Sequence, residues 1–131
     1  MDCYCGSNKE YTDCCEIAHN DLSAVKTAEQ LMRSRYTAYV MANGNYLMRS
    51  HHSATRPTKE KNSAVNWAKS VNWIRLEVLE KSKGSQKDND GTVSFNAYYF
   101  EDGKVEVISE NSAFTREDSN WVYLGLAENK E

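Results

Sequence analysis

The sequence predicts an α+β domain preceded by a small cysteine-rich knuckle. Three observations lead there. Apolar residues recur at helical spacing through the first half of the chain and at a period of two from residue 72 onward. All four cysteines fall within the first fifteen residues. Helices first and strands second is the order of an α+β domain, with helices packed on one face of a curved antiparallel sheet. A length of 131 residues, 40% of them hydrophobic and 27% charged, suits one domain with a modest core. No repeat interrupts it. The net charge of −3 provides no global attraction to nucleic acid or to anionic membrane, so either partner would need a local basic patch.

The cysteines form the pattern Cys3-x-Cys5, eight residues, then Cys14-Cys15. Placed so early, they cannot tie the body together with disulfides and must serve something local. Two ligands one residue apart come from one tight turn and two adjacent ligands from another, with Gly6 available for a positive φ. Four thiolates complete a tetrahedron around zinc, and a closed set leaves no position for water, so the expected Zn2+ is structural. A redox pair is a competing reading, weakened because redox pairs use the C-x-x-C spacing. Four free thiols on a tail is another, weakened by the oxidation hazard. His19 is an alternative ligand, or else an exposed residue that starts the next segment. No apolar run approaches a membrane span and the N-terminus lacks the order of a secretory signal. The expected location is cytoplasmic, where thiols stay reduced.

Residues 27–42 read as an amphipathic helix, with Ala28, Leu31, Met32, Arg35, Tyr36, Tyr39 and Val40 along one face. Thr27 and Gln30 form a capping box, and Asn43-Gly44 closes the C-terminus. A short helix from Tyr46 to about Ser50 follows. Beyond the break at Pro57, residues 58–70 look helical, although Asn62, Ser63 and Asn66 are poor helix formers. Strands are expected at 73–81 with Ile74, Leu76 and Val78 apolar, at 91–100, at 105–115 and at 121–126. Glu101-Asp102-Gly103-Lys104 and Glu117-Asp118-Ser119-Asn120 are the hairpin turns. The apolar parity of the third strand changes between Val107 and Ile108, which predicts a bulge or strong bend there. Residues 82–90 read as a flexible polar loop, and the ENKE tail as frayed.

CYCGSNKEYTDCC resembles the SEC-C motif, usually CPCGSGKKYKKCC, first named at the C-terminus of the secretion ATPase SecA. Tyr4 replaces proline and Asn8 replaces glycine, and neither is a ligand position. AEQLMRSRYTAYVMANGNYL, residues 28–47, resembles the YchJ family of small bacterial SEC-C proteins. The resemblance implies a SEC-C segment over 1–19 and a nuclear transport factor 2-like (SnoaL-like) cone over 20–131, with about three helices on about four strands. Its RSRY, E-x-S-x-F and W-x-Y patterns match Arg33–Tyr36, Glu110–Phe114 and Trp121–Tyr123. Its T-x-H-P-S segment places His52 on the family histidine, with Ser53 where proline is usual.

The mouth of such a cone is where a site would lie. Arg35 falls on an apolar helix face, so its guanidinium must reach water, pair with an acid or anchor a ligand. Glu110 is the expected partner of Arg35 or Arg33; left unpaired it would become a candidate general base, with His52 as a candidate acid. Arg33, Arg35, Tyr36, Tyr39, Ser112 and Trp121 are the candidate pocket residues. Trp67, Trp73, Tyr98, Tyr99, Trp121 and Tyr123 would line a ligand pocket or, as aromatics at strand spacing commonly do, form core.

Three functions compete. The first is a non-enzymatic protein-interaction module whose knuckle presents Tyr4, Asn8, Lys9 and Tyr11 to a partner. SecA's related motif is associated with SecB, phospholipid and ribosome surfaces, so the resemblance implies partner recognition. Lys9 is the only lysine or arginine in the first twenty residues, which disfavours nucleic acid and acidic lipid. The second is a small-molecule-binding or catalytic cone that uses Glu110 and His52. The third is a zinc carrier or redox sensor.

Overall fold

The computed structural model describes residues 2–127. Four helices and four strands follow one another as α1 (Cys15–Asn20), α2 (Ala28–Val40), α3 (Gly44–Arg49), α4 (Lys61–Ser70), β1 (Asn72–Lys83), β2 (Asp90–Glu101), β3 (Lys104–Glu117) and β4 (Asn120–Leu126). The strands form one antiparallel sheet in the order β1-β2-β3-β4. The α+β class and the helix-then-strand order therefore hold. No helix among the described residues is long and apolar enough to cross a membrane. The ENKE tail lies outside the described residues.

Helix α2 begins where capping chemistry places it. Thr27 Oγ1 accepts the Gln30 N–H at 3.1 Å, while Gln30 Oε1 reaches back one residue further than a standard box and takes the Lys26 N–H at 2.8 Å. Its C-terminus differs from expectation. Ala42, with φ 55°, takes the left-handed position, and Asn43 instead caps α3 by accepting the Tyr46 N–H at 3.1 Å. Gly44 is the first residue of α3, where an added Cβ would meet Val65 Cγ2 at 2.6 Å. Close approach of α3 to α4 is what requires that glycine.

The sheet departs from the expected pattern in three places. The β2–β3 ladder runs unbroken from Glu101↔Lys104 to Asp90↔Thr115, so Ile108 carries no bulge. Inward positions are Ile108, Glu110, Ser112 and Phe114; Val105 and Val107 lie on the outer face, 64% and 48% exposed. Register shifts occur instead in β1, between Trp73 and Arg75 and between Val78 and Glu80, and in the β3–β4 pairing, where Ala113 and Phe114 face Gly125 and Tyr123 and leave Leu124 extra. Ile74 is an extra residue in β1 and is half exposed, while Trp73 takes the inward position opposite Tyr99. Residues 82–90 are also held more firmly than their composition suggested. Gly84 accepts the Ala28 N–H at 2.9 Å and donates to Asp90 O at 3.0 Å, and Arg116 donates to the Asp88 and Gln86 carbonyls, each at 2.9 Å.

The core lies between α2–α3 and the concave sheet, built on Leu31, Met32, Tyr46, Leu47, Val93, Phe114 and Trp121. It fills one part of the cone and leaves another open.

Candidate metal centre and cone cavity

The knuckle is folded by its own short-range bonds. An Asp2↔Glu10 bridge and the Cys3 N–H to Lys9 O bond at 2.7 Å close the first loop, and Gly6 turns it at φ 82°. Cys14 then leads into α1, which begins at Cys15. The four sulfurs lie within 4.8 Å of one another. Cys5–Cys14 and Cys14–Cys15 measure 3.6 and 4.0 Å. A tetrahedral zinc–thiolate site has sulfur–sulfur edges of about 3.8 Å, from Zn–S bonds of about 2.3 Å. Cys3, Cys5 and Cys15 are buried and Cys14 is half-buried. The Cys15 S–H donates to Cys5, pulling the Cys5 thiol down to about 4, and Cys15 is pushed up correspondingly. Four sulfur donors converging at this spacing suit a soft cation with tetrahedral coordination.

His19 is not drawn into this cluster. Its Nε2–H donates to Ser34 O at 2.8 Å, and Nδ1 accepts the Tyr11 hydroxyl at 2.9 Å, so both ring nitrogens are occupied. Burial holds its pKa below the usual histidine value. It is a buried strut between knuckle and α2, neither a ligand nor an exposed residue. Tyr11 packs against it at 5.7 Å and so turns away from the outward surface expected of it.

Helix α2 joins the knuckle to the cone through opposite faces. Arg33 Nη1 donates to Cys5 O at 2.5 Å, Ser34 O meets His19, and Thr37 Oγ1 lies 3.7 Å from Cys3 Sγ. Met32, Arg35, Tyr36 and Tyr39 line a cavity of about 280 Å³ on the other side. At about 100° per residue, these two sets sit roughly 160° apart around the helix. The sheet contributes Phe95, Ala97, Ile108, Glu110, Ser112, Phe114 and Tyr123, while Trp67 and Trp73 complete an aromatic wall.

The expected Arg–Glu pair does not form. Among the described residues, Glu110 has no ion pair with either arginine. Arg33 pairs with Glu29 at 2.9 Å, and Glu29 also takes Lys81 at 2.8 Å. Arg35, only 8% exposed, donates through Nη1 to Leu47 O at 2.9 Å and to Ser50 Oγ at 2.7 Å. Its guanidinium lies 4.7 Å from the Tyr123 ring centroid. Carbonyl, hydroxyl and π-face therefore hold the cation where a carboxylate was expected. Glu110 receives only a long 3.5 Å hydrogen bond from Ser112 Oγ. Burial and the nearby Glu110 charge push the Tyr123 hydroxyl up.

Two other expectations also fail, both for reasons of strand geometry. His52 lies outside the cavity. The chain before it runs beside β4 through the His51↔Tyr123 bridge, so neighbouring side chains point opposite ways. His52 faces Glu117 at 3.7 Å, and His51 turns inward, edge-on to Tyr123 at 5.0 Å between centroids. Trp121 shares the inner face but lies beneath residues 22–26, fully buried, with Nε1 donating to Lys26 O at 3.0 Å. Arg35, Tyr36, Tyr39 and Ser112 do line the cavity; Arg33 and Trp121 do not. Ser50 gave no signal in the sequence, because its role depends entirely on a residue fifteen positions away.

His51 has a measurable consequence. Burial, then the Arg35 and Arg56 charges, pull its pKa down to about 4. An unfolded histidine takes its proton near pH 6.5. The unfolded chain therefore binds more protons between those values, and stability falls as pH drops from 6.5 toward 4. Urea denaturation of wild type and His51→Gln across this window should diverge by on the order of 2–3 kcal/mol at its acid end, with the variant flatter. Parallel curves would remove His51 as the source.

The comparisons agree with this architecture. Residues 27–125 match the family described as YchJ, middle NTF2-like domain. A UPF0225 protein of Vibrio parahaemolyticus is 42% identical over 122 residues, covering 93% of this chain and 72% of the relative. One from Streptomyces coelicolor is 38% identical over 121 residues, covering 92% and 90%. The solution structure of a SEC-C motif containing protein from Rhodopseudomonas palustris superposes with a TM-score of 0.83 at 29% identity, covering 99% of this chain and all of that one. The crystal structure of another, from Psychrobacter arcticus, gives 0.80 at 25% identity, with 100% and 85% covered. A cysteine knuckle fixed to one face of α2, a cone built on the other, and these matches together mean that the chain belongs to the YchJ (UPF0225) family of SEC-C motif proteins with a nuclear transport factor 2-like domain.

Proposed function

We propose that this protein is a small-molecule-binding domain stiffened by one structural Zn2+ on Cys3, Cys5, Cys14 and Cys15. The observation that carries the reading is the open cavity, whose only charged lining residues, Arg35 and Glu110, make no ion pair with each other. A cone kept only for stability would close this space with apolar side chains, because an enclosed charge without an ionic partner costs several kcal/mol. Acid–base catalysis by Glu110 with His52 is not supported, since His52 belongs to the Glu117 surface. Four free thiols suit a reducing compartment, which favours the cytoplasm.

Binding of a protein partner by the knuckle is the second reading. Tyr4 and Ile17, 41% and 49% exposed, favour it by offering apolar surface at the N-terminal end of the chain. The two readings separate in one experiment on the metal-analysed protein. Titration with indole, a neutral aromatic probe, should give saturable calorimetric binding that Ala64→Trp, at the cavity lining, removes. A folded protein with one zinc per chain that takes up neither indole nor a charged aromatic analogue would sink the cavity reading and leave the knuckle as the recognition element.

A further inference from the structure

We propose that the cone cavity binds a free α-amino acid with an aromatic side chain, the ammonium on Glu110 and the carboxylate on Arg35. This rests on the cavity being a ligand site and names the ligand's chemistry. Three features converge on it.

The first is the state of the two charged groups. Arg35 spends only Nη1 on the protein. No fully enclosed side-chain nitrogen or oxygen among the described residues lacks a partner. The remaining guanidinium N–H groups therefore border open space, with the geometry that takes a carboxylate in two parallel bonds. Glu110 accepts one long bond from Ser112 and has its remaining lone pairs available. A ligand carrying one charge would satisfy one of these groups and strip water from the other. A zwitterion satisfies both.

The second is that the two groups share one end of the cavity. Arg35 lies 4.7 Å from the Tyr123 ring centroid, Tyr123 pairs with Phe114, and Ser112, two residues along β3 from Phe114, bonds Glu110. An α-amino acid carries its two charges on neighbouring atoms of one carbon, which matches such a cluster of opposite charges.

The third is the other end. Trp73 pairs with Tyr99, whereas Glu110 pairs with Phe95, four residues along β2. That separation is about 13 Å of strand. Trp73 there meets Tyr36 at 5.8 Å and Trp67 at 5.4 Å between centroids, both edge-on, with Tyr39 at 6.0 Å. These rings form flat walls suited to an aromatic side chain. A cavity of about 280 Å³ holds a single amino acid and lies at the small end of ligand sites, well short of a dinucleotide.

The test is calorimetry on the zinc-loaded full chain with L-phenylalanine, phenethylamine, 3-phenylpropionate and indole. L-Phenylalanine should bind at least about tenfold more tightly than either single-charge analogue, the discrimination expected when a buried charge would otherwise lose its partner. Glu110→Gln should abolish the advantage of L-phenylalanine over 3-phenylpropionate, because the ammonium loses its partner and the acid no longer leaves a carboxylate stripped of water, and a matching thermal melt checks that the variant is folded. If indole binds but L-phenylalanine has no advantage over its analogues, the head-group proposal is overturned and the cavity reading stands. Undiminished L-phenylalanine binding by Glu110→Gln overturns it equally. If neither indole nor L-phenylalanine binds, both fall together.

Discussion

Replacing Cys5 with serine is expected to abolish the proposed zinc binding and lower the melting temperature by roughly 10–15 °C. The reasoning begins with burial, because Cys5 is wholly inaccessible and its backbone oxygen receives Arg33 from α2. Structural zinc contributes about 10–16 kcal/mol to folding in peptides that have no other core. Here the cone keeps its own core, so only the knuckle and its seat on α2 are lost. Thr37, fully buried on α2 against Cys3, would then meet water, as would the His19–Ser34 strut. Calorimetric melts with and without chelator, beside metal analysis, give the comparison. Because α2 also carries Arg35, Tyr36 and Tyr39, metal loss should weaken cavity binding without touching the cavity itself. A serine variant that melts with the wild type would end the scaffolding role of the metal.

Trp121→Ala is expected to cost about 3–5 kcal/mol, the range for removing a large buried aromatic. Trp121 is the largest fully buried side chain, it donates to Lys26 O, and it carries the Arg116 guanidinium 4.5 Å from its ring centroid. Arg116 in turn holds the Asp88 and Gln86 carbonyls, so the substitution also loosens residues 86–88. Trp121→Phe keeps most of the packing and loses the donor to Lys26, for a smaller cost of about 1–3 kcal/mol. Urea denaturation of both variants tests the order. Because Trp121 lies outside the cavity, Trp121→Phe should leave indole binding intact, which separates core from site.

The cysteine spacing and the change from helical to alternating apolar period specified the knuckle, the element order and the hairpin turns. These are local properties: a cap, a turn or a strand face depends on residues within a few positions of one another. The Thr27 cap and the Asp102-Gly103 turn follow directly from that chemistry. Sequence also put Arg35, Tyr36, Tyr39 and Ser112 near one space, because helix face and strand parity suffice to aim a side chain.

What it could not supply was the choice of partner. Arg35 had an acid available at Glu110, yet the fold gave it Leu47 O, Ser50 and Tyr123, because α3 and β4 arrive closer to it than Glu110 does. His52 did not take the cavity-facing place expected of it, and His51 turned inward instead, because one extended segment docks beside β4 in one register. The bulges fell in β1 and β4 and left Ile108 in an unbroken β2–β3 ladder, since strand pairing, rather than the apolar pattern of one strand, sets where an extra residue fits. By itself the sequence determined that a four-cysteine knuckle precedes an α+β cone. Only tertiary structure decided that the cone stays partly open with an arginine and a glutamate held apart, because that outcome depends on distances between elements far apart in the chain.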